Sequence, residues 1–165
     1  MAFCALLFRT LPARQERSFL MRVDFYRLST DPRAAAIALL ARKSREAGKR
    51  LLIVAEGEAL LEEISKALWE SAPESFLAHG IAGSGDEADQ PILLAQEVAA
   101  NNKAAILLLA DGQWRHPGDG FERVLYVFDD ATIDGARSTW RDLAGREDIE
   151  RKFWKTQAGR WVEGP

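Results

Sequence analysis

From residue 21 onward the spacing of apolar and polar side chains switches repeatedly between the periods of strand and helix. Val23-Asp24-Phe25-Tyr26-Arg27-Leu28 alternates apolar with polar residues and is rich in aromatic and β-branched types, which predicts a strand. Ser29-Thr30-Asp31-Pro32 places a capping residue before a proline, a helix start. Ile37, Leu40, Ala41, Ser44 and Ala47 then recur at helical spacing. Lys43 and Arg45 fall in the last turns, and Gly48 suits the C-terminal cap. Residues 51–55 form a continuous apolar run, the pattern of a strand buried on both faces of a parallel sheet. A second helix is expected over residues 58–69, with Leu61, Ile64 and Leu68 on one face and Pro73 beyond its end. Residues 76–91 contain Gly80, Gly83 and Gly85 and read as mainly loop with room for one short strand. Further strands are expected at 92–95, 105–110 and 124–128, and a last helix at 132–143. The segment from Gly145 is charged, carries Phe153, Trp154 and Trp161, and receives no element. The order strand–helix–strand–helix predicts one α/β domain over residues 21–165, a three-layer α/β/α arrangement around a largely parallel sheet with right-handed crossovers.

Residues 1–20 do not share this pattern. They hold three arginines and a single acid. Arg9 interrupts the apolar run and no small-x-small cleavage site follows, which speaks against a secretory signal. A transit peptide stays open on composition. The simplest expectation is an extension outside the fold, with translation starting at Met21.

Composition narrows the classes. With 47% hydrophobic and 28% charged residues among 165, the chain is globular rather than disordered. A net charge of -3 excludes a generically basic nucleic-acid coat but leaves room for a local basic patch. The single cysteine, Cys4, excludes an internal disulfide and a cysteine zinc site, and two histidines leave little for a metal centre. The longest apolar run, 104–110, is far short of the roughly 20 residues a membrane span needs. These features point to a reduced, cytoplasmic, soluble protein with no membrane partner.

A parallel α/β sheet invites a nucleotide-binding or enzymatic reading, and its motifs are weak here. The phosphate loop of nucleotide triphosphatases needs glycines followed by Gly-Lys-Ser/Thr. Gly80-Ile81-Ala82-Gly83-Ser84-Gly85 is instead followed by Asp86-Glu87, which would repel phosphate. No glycine fingerprint closes the first strand at Arg27-Leu28-Ser29-Thr30. Asp129 and Asp130 follow an apolar strand, where paired carboxylates suit Mg²⁺; the plainer reading is that they cap the next helix and favour its positive end. His79 and His116 lie in loops, where a structural or surface role is the plainer one. No catalytic residue, cofactor or metal is therefore assigned, and a nucleotide-binding enzyme using loop 80–85 with Asp129 and Asp130 is the alternative.

Three sets of residues suit binding instead. Arg137 and Arg141 are four apart on the helix 132–143 and share a face, beside a stripe of Ile133, Ala136, Trp140 and Leu143. Two guanidinium groups next to an aromatic fit a carboxylate attached to an apolar group. Phe128, on the preceding strand, is placed to wall the same pocket. A solvated arginine face is the other reading, and spacing does not decide between them. Trp69 and Phe76 bracket Pro73; by spacing alone they favour core over a partner anchor. Trp154 and Trp161 lie among Arg151, Lys152, Lys155 and Arg160, a mixture that suits single-stranded nucleic acid, although Glu147, Asp148, Glu150 and Glu163 dilute the charge.

Several of these stretches resemble the chi subunit family of bacterial DNA polymerase III. They are Val23-Asp24-Phe25-Tyr26, Gly48-Lys49-Arg50-Leu51-Leu52-Ile53-Val54-Ala55-Glu56, Leu68-Trp69, Glu74-Ser75-Phe76-Leu77-Ala78-His79-Gly80 with Ala82-Gly83, Gly120-Phe121-Glu122-Arg123-Val124, and Phe128-Asp129. The resemblance runs from Met21 to about Trp161. It implies a Rossmann-like fold and a noncatalytic, cytoplasmic clamp-loader accessory subunit that acts in DNA replication. It implies a link to single-stranded-DNA-binding protein through that protein's acidic C-terminal tail, which ends in Phe with a free carboxylate. By the same resemblance, Arg137 and Arg141 meet the tail's carboxylates, and Phe128 and Trp140 shape the slot for its terminal Phe. Trp69 and Phe76 match the surface that meets a psi subunit, the clamp loader or a helicase, and DNA is contacted mainly indirectly. One departure stands out: a basic position of the family one turn before Arg137 is Ile133 here.

Overall fold

The computed structural model describes residues 21–71 and 77–165. Cys4, the other expectations for residues 1–20, Pro73 and Phe76 lie outside the described residues.

The elements follow in the order β1 (Met21–Arg27), α1 (Arg33–Glu46), β2 (Leu51–Val54), α2 (Glu58–Glu70), β3 (Gly80–Ile81), β4 (Ile92–Ala95), β5 (Ile106–Leu109), β6 (Arg123–Phe128), α3 (Ile133–Asp142), β7 (Ile149–Gln157) and β8 (Arg160–Glu163). They build one sheet in the order β3-β4-β2-β5-β6-β1-β7-β8. Every pairing is parallel except the antiparallel β7–β8 hairpin. Central strands β2, β4 and β5 are buried along their whole length, as their unbroken apolar sequences require. Alternate residues feed two cores. Tyr26, Leu28, Leu51, Ile53 and Val127 pack with α1 and α2 on one face. Val23, Phe25, Tyr126 and Phe128 pack with Ala136 and Leu143 on the other, under α3. The architecture is the expected three-layer α/β/α.

Local chemistry sets the helix ends. Gly48, at φ +75°, closes α1: its N–H donates to the Arg45 carbonyl and that of Lys49 to the Ser44 carbonyl, which satisfies two of the last orphan acceptors. At the other end of α1 the expectation of a side-chain cap fails. The helix begins after Pro32, without a capping bond from Ser29, Thr30 or Asp31. Arg33 takes over the anchoring, donating to the Ala110 and Val127 carbonyls and to Asp129.

The larger surprise is the C-terminal hairpin. The segment from Gly145, to which sequence spacing assigned no element, adds a strand to β1 and then turns back on itself through Ala158-Gly159. Its charged residues conceal the period: Ile149, Arg151 and Phe153 face α3, whereas Trp154 packs on the opposite core with Trp161. Beneath that end of the sheet lies Asp24, fully buried, which accepts bonds from Arg22, Arg123 and the Trp154 indole N–H. A buried carboxylate needs such donors to offset its lost hydration.

Candidate functional site

The sheet pleat and α3 together make a groove of about 430 Å³. That lies in the usual range for ligand pockets, roughly 300–1,000 Å³. Its floor is Phe25 and Arg27 from β1, Phe128 from the end of β6 and Phe153 from β7. The parallel register explains the juxtaposition. Phe25 pairs with Tyr126 on one side and Phe153 on the other, and Arg27 pairs with Phe128 and Lys155. Its wall is α3, whose Ile133, Ala136, Arg137, Trp140 and Arg141 recur at helical spacing and face the floor. Pro165 lies at the rim.

The apolar part is preorganised. The Phe25 and Trp140 rings meet edge to face with centroids 5.0 Å apart, and Phe128 lies 6.4 Å from Phe25 and 6.5 Å from Phe153. Arg151 fixes Trp140 from behind. Its guanidinium carbon sits 4.3 Å from the ring centroid, and its N–H donates to the Trp140 carbonyl.

Three guanidinium groups border this apolar slot. Arg137 and Arg141 are exposed on α3. Arg137 contacts Asp134 at 3.5 Å, whereas Arg141 has no ion-pair partner among the described residues. Arg27, from the floor, is paired with Asp130 at 2.7 Å. An apolar slot edged by forked donors can hold an aromatic or aliphatic side chain and a carboxylate together.

All four residues expected to form the pocket, Phe128, Arg137, Trp140 and Arg141, line this one groove. Sequence reasoning missed Phe25, Arg27 and Phe153. The alternation Phe25-x-Arg27 on a recognised strand carried a signal for the first two. Phe153 required the hairpin. The other sets are not brought there. Trp69 is half exposed at the end of α2, on the opposite side of the sheet, against the His79 ring at 4.9 Å. His79 is tied on both ring nitrogens, with Nδ1 donating to the Leu77 carbonyl and Nε2 bonded to the Ser65 hydroxyl, each at 2.8 Å. The basic and aromatic residues of the C-terminal segment are divided by the pleat, with Arg151 on the α3 face and Trp154 on the other.

The features suited to a nucleotide are already spent on internal contacts. The Gly83 N–H donates to Glu87, whose carboxyl is held below its ordinary range by that bond and one from Asn101. Loop 80–85 thus carries its own anion. Asp129 is bound by Arg33 at 2.6 Å and by the Thr132 N–H and hydroxyl. Burial would raise its pKa, but these donors outweigh burial and lower it. These bonds close the turn that leads into α3, and the expected helix cap is not formed: Thr132 is the N-cap residue and no side chain caps the first turn. Asp130 turns away to Arg27. Among the described residues, no group of three or more His, Cys, Asp or Glu is placed to hold a metal ion. No helix among them is long and apolar enough to cross a membrane.

Residues 20–161 match the family described as DNA polymerase III chi subunit, HolC. Over 56 residues the chain is 36% identical to the DNA polymerase III subunit chi of Escherichia coli (strain K12). That stretch covers 34% of this chain and 38% of the E. coli protein, so well under two thirds of the relative's length is matched.

Proposed function

The chain belongs to the DNA polymerase III chi subunit family, and from that premise we propose that it is a noncatalytic accessory subunit joining the clamp loader to single-stranded-DNA-binding protein. It does so by holding the acidic, Phe-terminated C-terminal tail of that protein in the groove under α3. The observation that carries this reading is the convergence of Arg137, Arg141, Phe128 and Trp140 on one slot. The tail's terminal ring fits between Phe128 and Trp140, its α-carboxylate meets the unpaired Arg141, and its aspartates meet Arg137. Charge pairing drives the encounter in part, so affinity falls with salt. Trp69, with Phe76 beyond the described residues, belongs to a second surface that meets the psi subunit, the clamp loader or a helicase. DNA is reached mainly through the tail-bearing partner, in the bacterial cytoplasm.

Fluorescence anisotropy with a labelled peptide copying the acidic, Phe-terminated tail tests this, beside the same peptide with an amidated C-terminus. Saturable binding that weakens with salt and with amidation is expected. No binding of the free-acid peptide, at protein concentrations far above those of an ordinary peptide-recognition module, would overturn it.

A further inference from the structure

We propose that Arg27 is a further peptide-binding residue of the groove, and that Asp130 is its displaceable counter-ion, holding it in the free protein and releasing it to a carboxylate of the bound peptide. This rests on the tail-binding reading above. Arg27 rises from the groove floor, opposite the helix that carries Arg137 and Arg141. A bound acidic peptide would thus be flanked by cations on both walls. Ile133, one turn before Arg137 on α3, is uncharged, and Arg27 brings a charge to the same groove from the strand.

The neighbouring aspartates differ in a way that suits the exchange. Asp129 is locked: besides Arg33 it accepts from the Thr132 N–H and hydroxyl, within the turn that starts α3. Asp130 bonds only to Arg27 among the described residues, through one oxygen that receives both Nε at 3.2 Å and a terminal nitrogen at 2.7 Å. The Asp130 side chain is 76% exposed and that of Arg27 42%. Exposed pairs of this kind are weak and exchange readily for another carboxylate. Asp130 therefore masks Arg27 without committing it, and its negative charge at the groove edge opposes any incoming anion.

The test is peptide affinity by anisotropy at low salt for the wild type, Arg27→Ala, Asp130→Asn, the double variant, and Glu46→Gln as a control. Glu46 lies at the end of α1 beneath the opposite face of the sheet, so its variant changes net charge equally but at a distance. Arg27→Ala should weaken binding about three- to tenfold, and Asp130→Asn should tighten it about two- to fivefold. The tightening should vanish in the Arg27→Ala background, and Glu46→Gln should bind as the wild type does. Unchanged or weaker binding by Asp130→Asn, or tightening that survives Arg27→Ala, would overturn the counter-ion role. Wild-type affinity in Arg27→Ala would overturn the binding role. If the wild type fails to bind the free-acid peptide, the tail-binding reading falls and this inference falls with it; the other outcomes remove this inference alone.

Discussion

Replacing Arg137 and Arg141 together by alanine separates a binding groove from a solvated arginine face. Both side chains are exposed on α3, and the one ion pair lost, Arg137–Asp134, is 3.5 Å long between side chains 66% and 95% exposed. Such a pair is largely screened, and alanine is a better helix former than arginine, so folding stability should stay within about 0.5 kcal/mol of the wild type. Binding should respond differently. A guanidinium–carboxylate contact at the mouth of a half-apolar slot contributes about 1–1.5 kcal/mol, because one side of it is shielded from water by Trp140 and Phe128. Two such contacts amount to about 2–3 kcal/mol, or roughly 30- to 150-fold in Kd. The assays are a thermal melt by circular dichroism and a titration of the acidic, Phe-terminated peptide at two salt concentrations. An unchanged melt with a large loss of affinity, and a flatter salt dependence of what remains, is expected. Wild-type affinity in the double variant would refute the placement of the ligand against α3.

Other perturbations probe the scaffold and the second surface. The Asp111 carboxyl is subject to burial, which alone would raise its pKa, but Arg115 and the Glu56 and Gln113 N–H groups outweigh burial and hold it below the usual range. Its contribution is therefore complete above the unfolded-state value near about 3.9 and lost as pH falls through the lower folded value. Asp111→Asn should cost about 1–2 kcal/mol at pH 7 and flatten the loss of stability below pH 4, as read by melts across that range; an unchanged acid limb would contradict it. Gly112 has φ +76°, and a Cβ there would fall 2.4 Å from the Thr132 hydroxyl, at the turn that starts α3. Gly112→Ala should cost about 1–3 kcal/mol in a thermal melt. Trp69→Ala should leave peptide affinity unchanged while reducing co-purification with clamp-loader proteins, since Trp69 and the groove lie on opposite sides of the sheet; a parallel loss of peptide affinity would show the two surfaces are not independent.

Much of the fold was legible because central strands and helix faces obey simple periods. Leu51–Val54 and Ile106–Leu109 announce themselves as unbroken apolar runs, and Leu61, Ile64 and Leu68 as one face of α2. The α3 wall was legible for the same reason: Arg137, Trp140 and Arg141 fall on one face at helical spacing. The floor was not. Ile149–Gln157 is half-buried and rich in charge, because α3 and the hairpin partner cover it only partly, so its alternation is masked. Without that strand, Phe153 cannot be placed beside Phe25. Nor does sequence spacing show that Asp129 and Asp130 take different arginines, Arg33 and Arg27, since both partners lie about a hundred residues away. The missing side-chain cap at α1 has a similar cause: long-range bonds from Arg33 replaced the local ones that Ser29 and Asp31 offered.

The most direct measurement of the central claim is a calorimetric titration of the full chain with intact single-stranded-DNA-binding protein, set beside the same protein lacking its acidic C-terminal residues. Saturable binding to the intact protein, lost on truncation and in the Arg137→Ala/Arg141→Ala variant, is the result predicted by a groove that reads a carboxylate and an aromatic ring together. Equal binding to the intact and truncated proteins would contradict it.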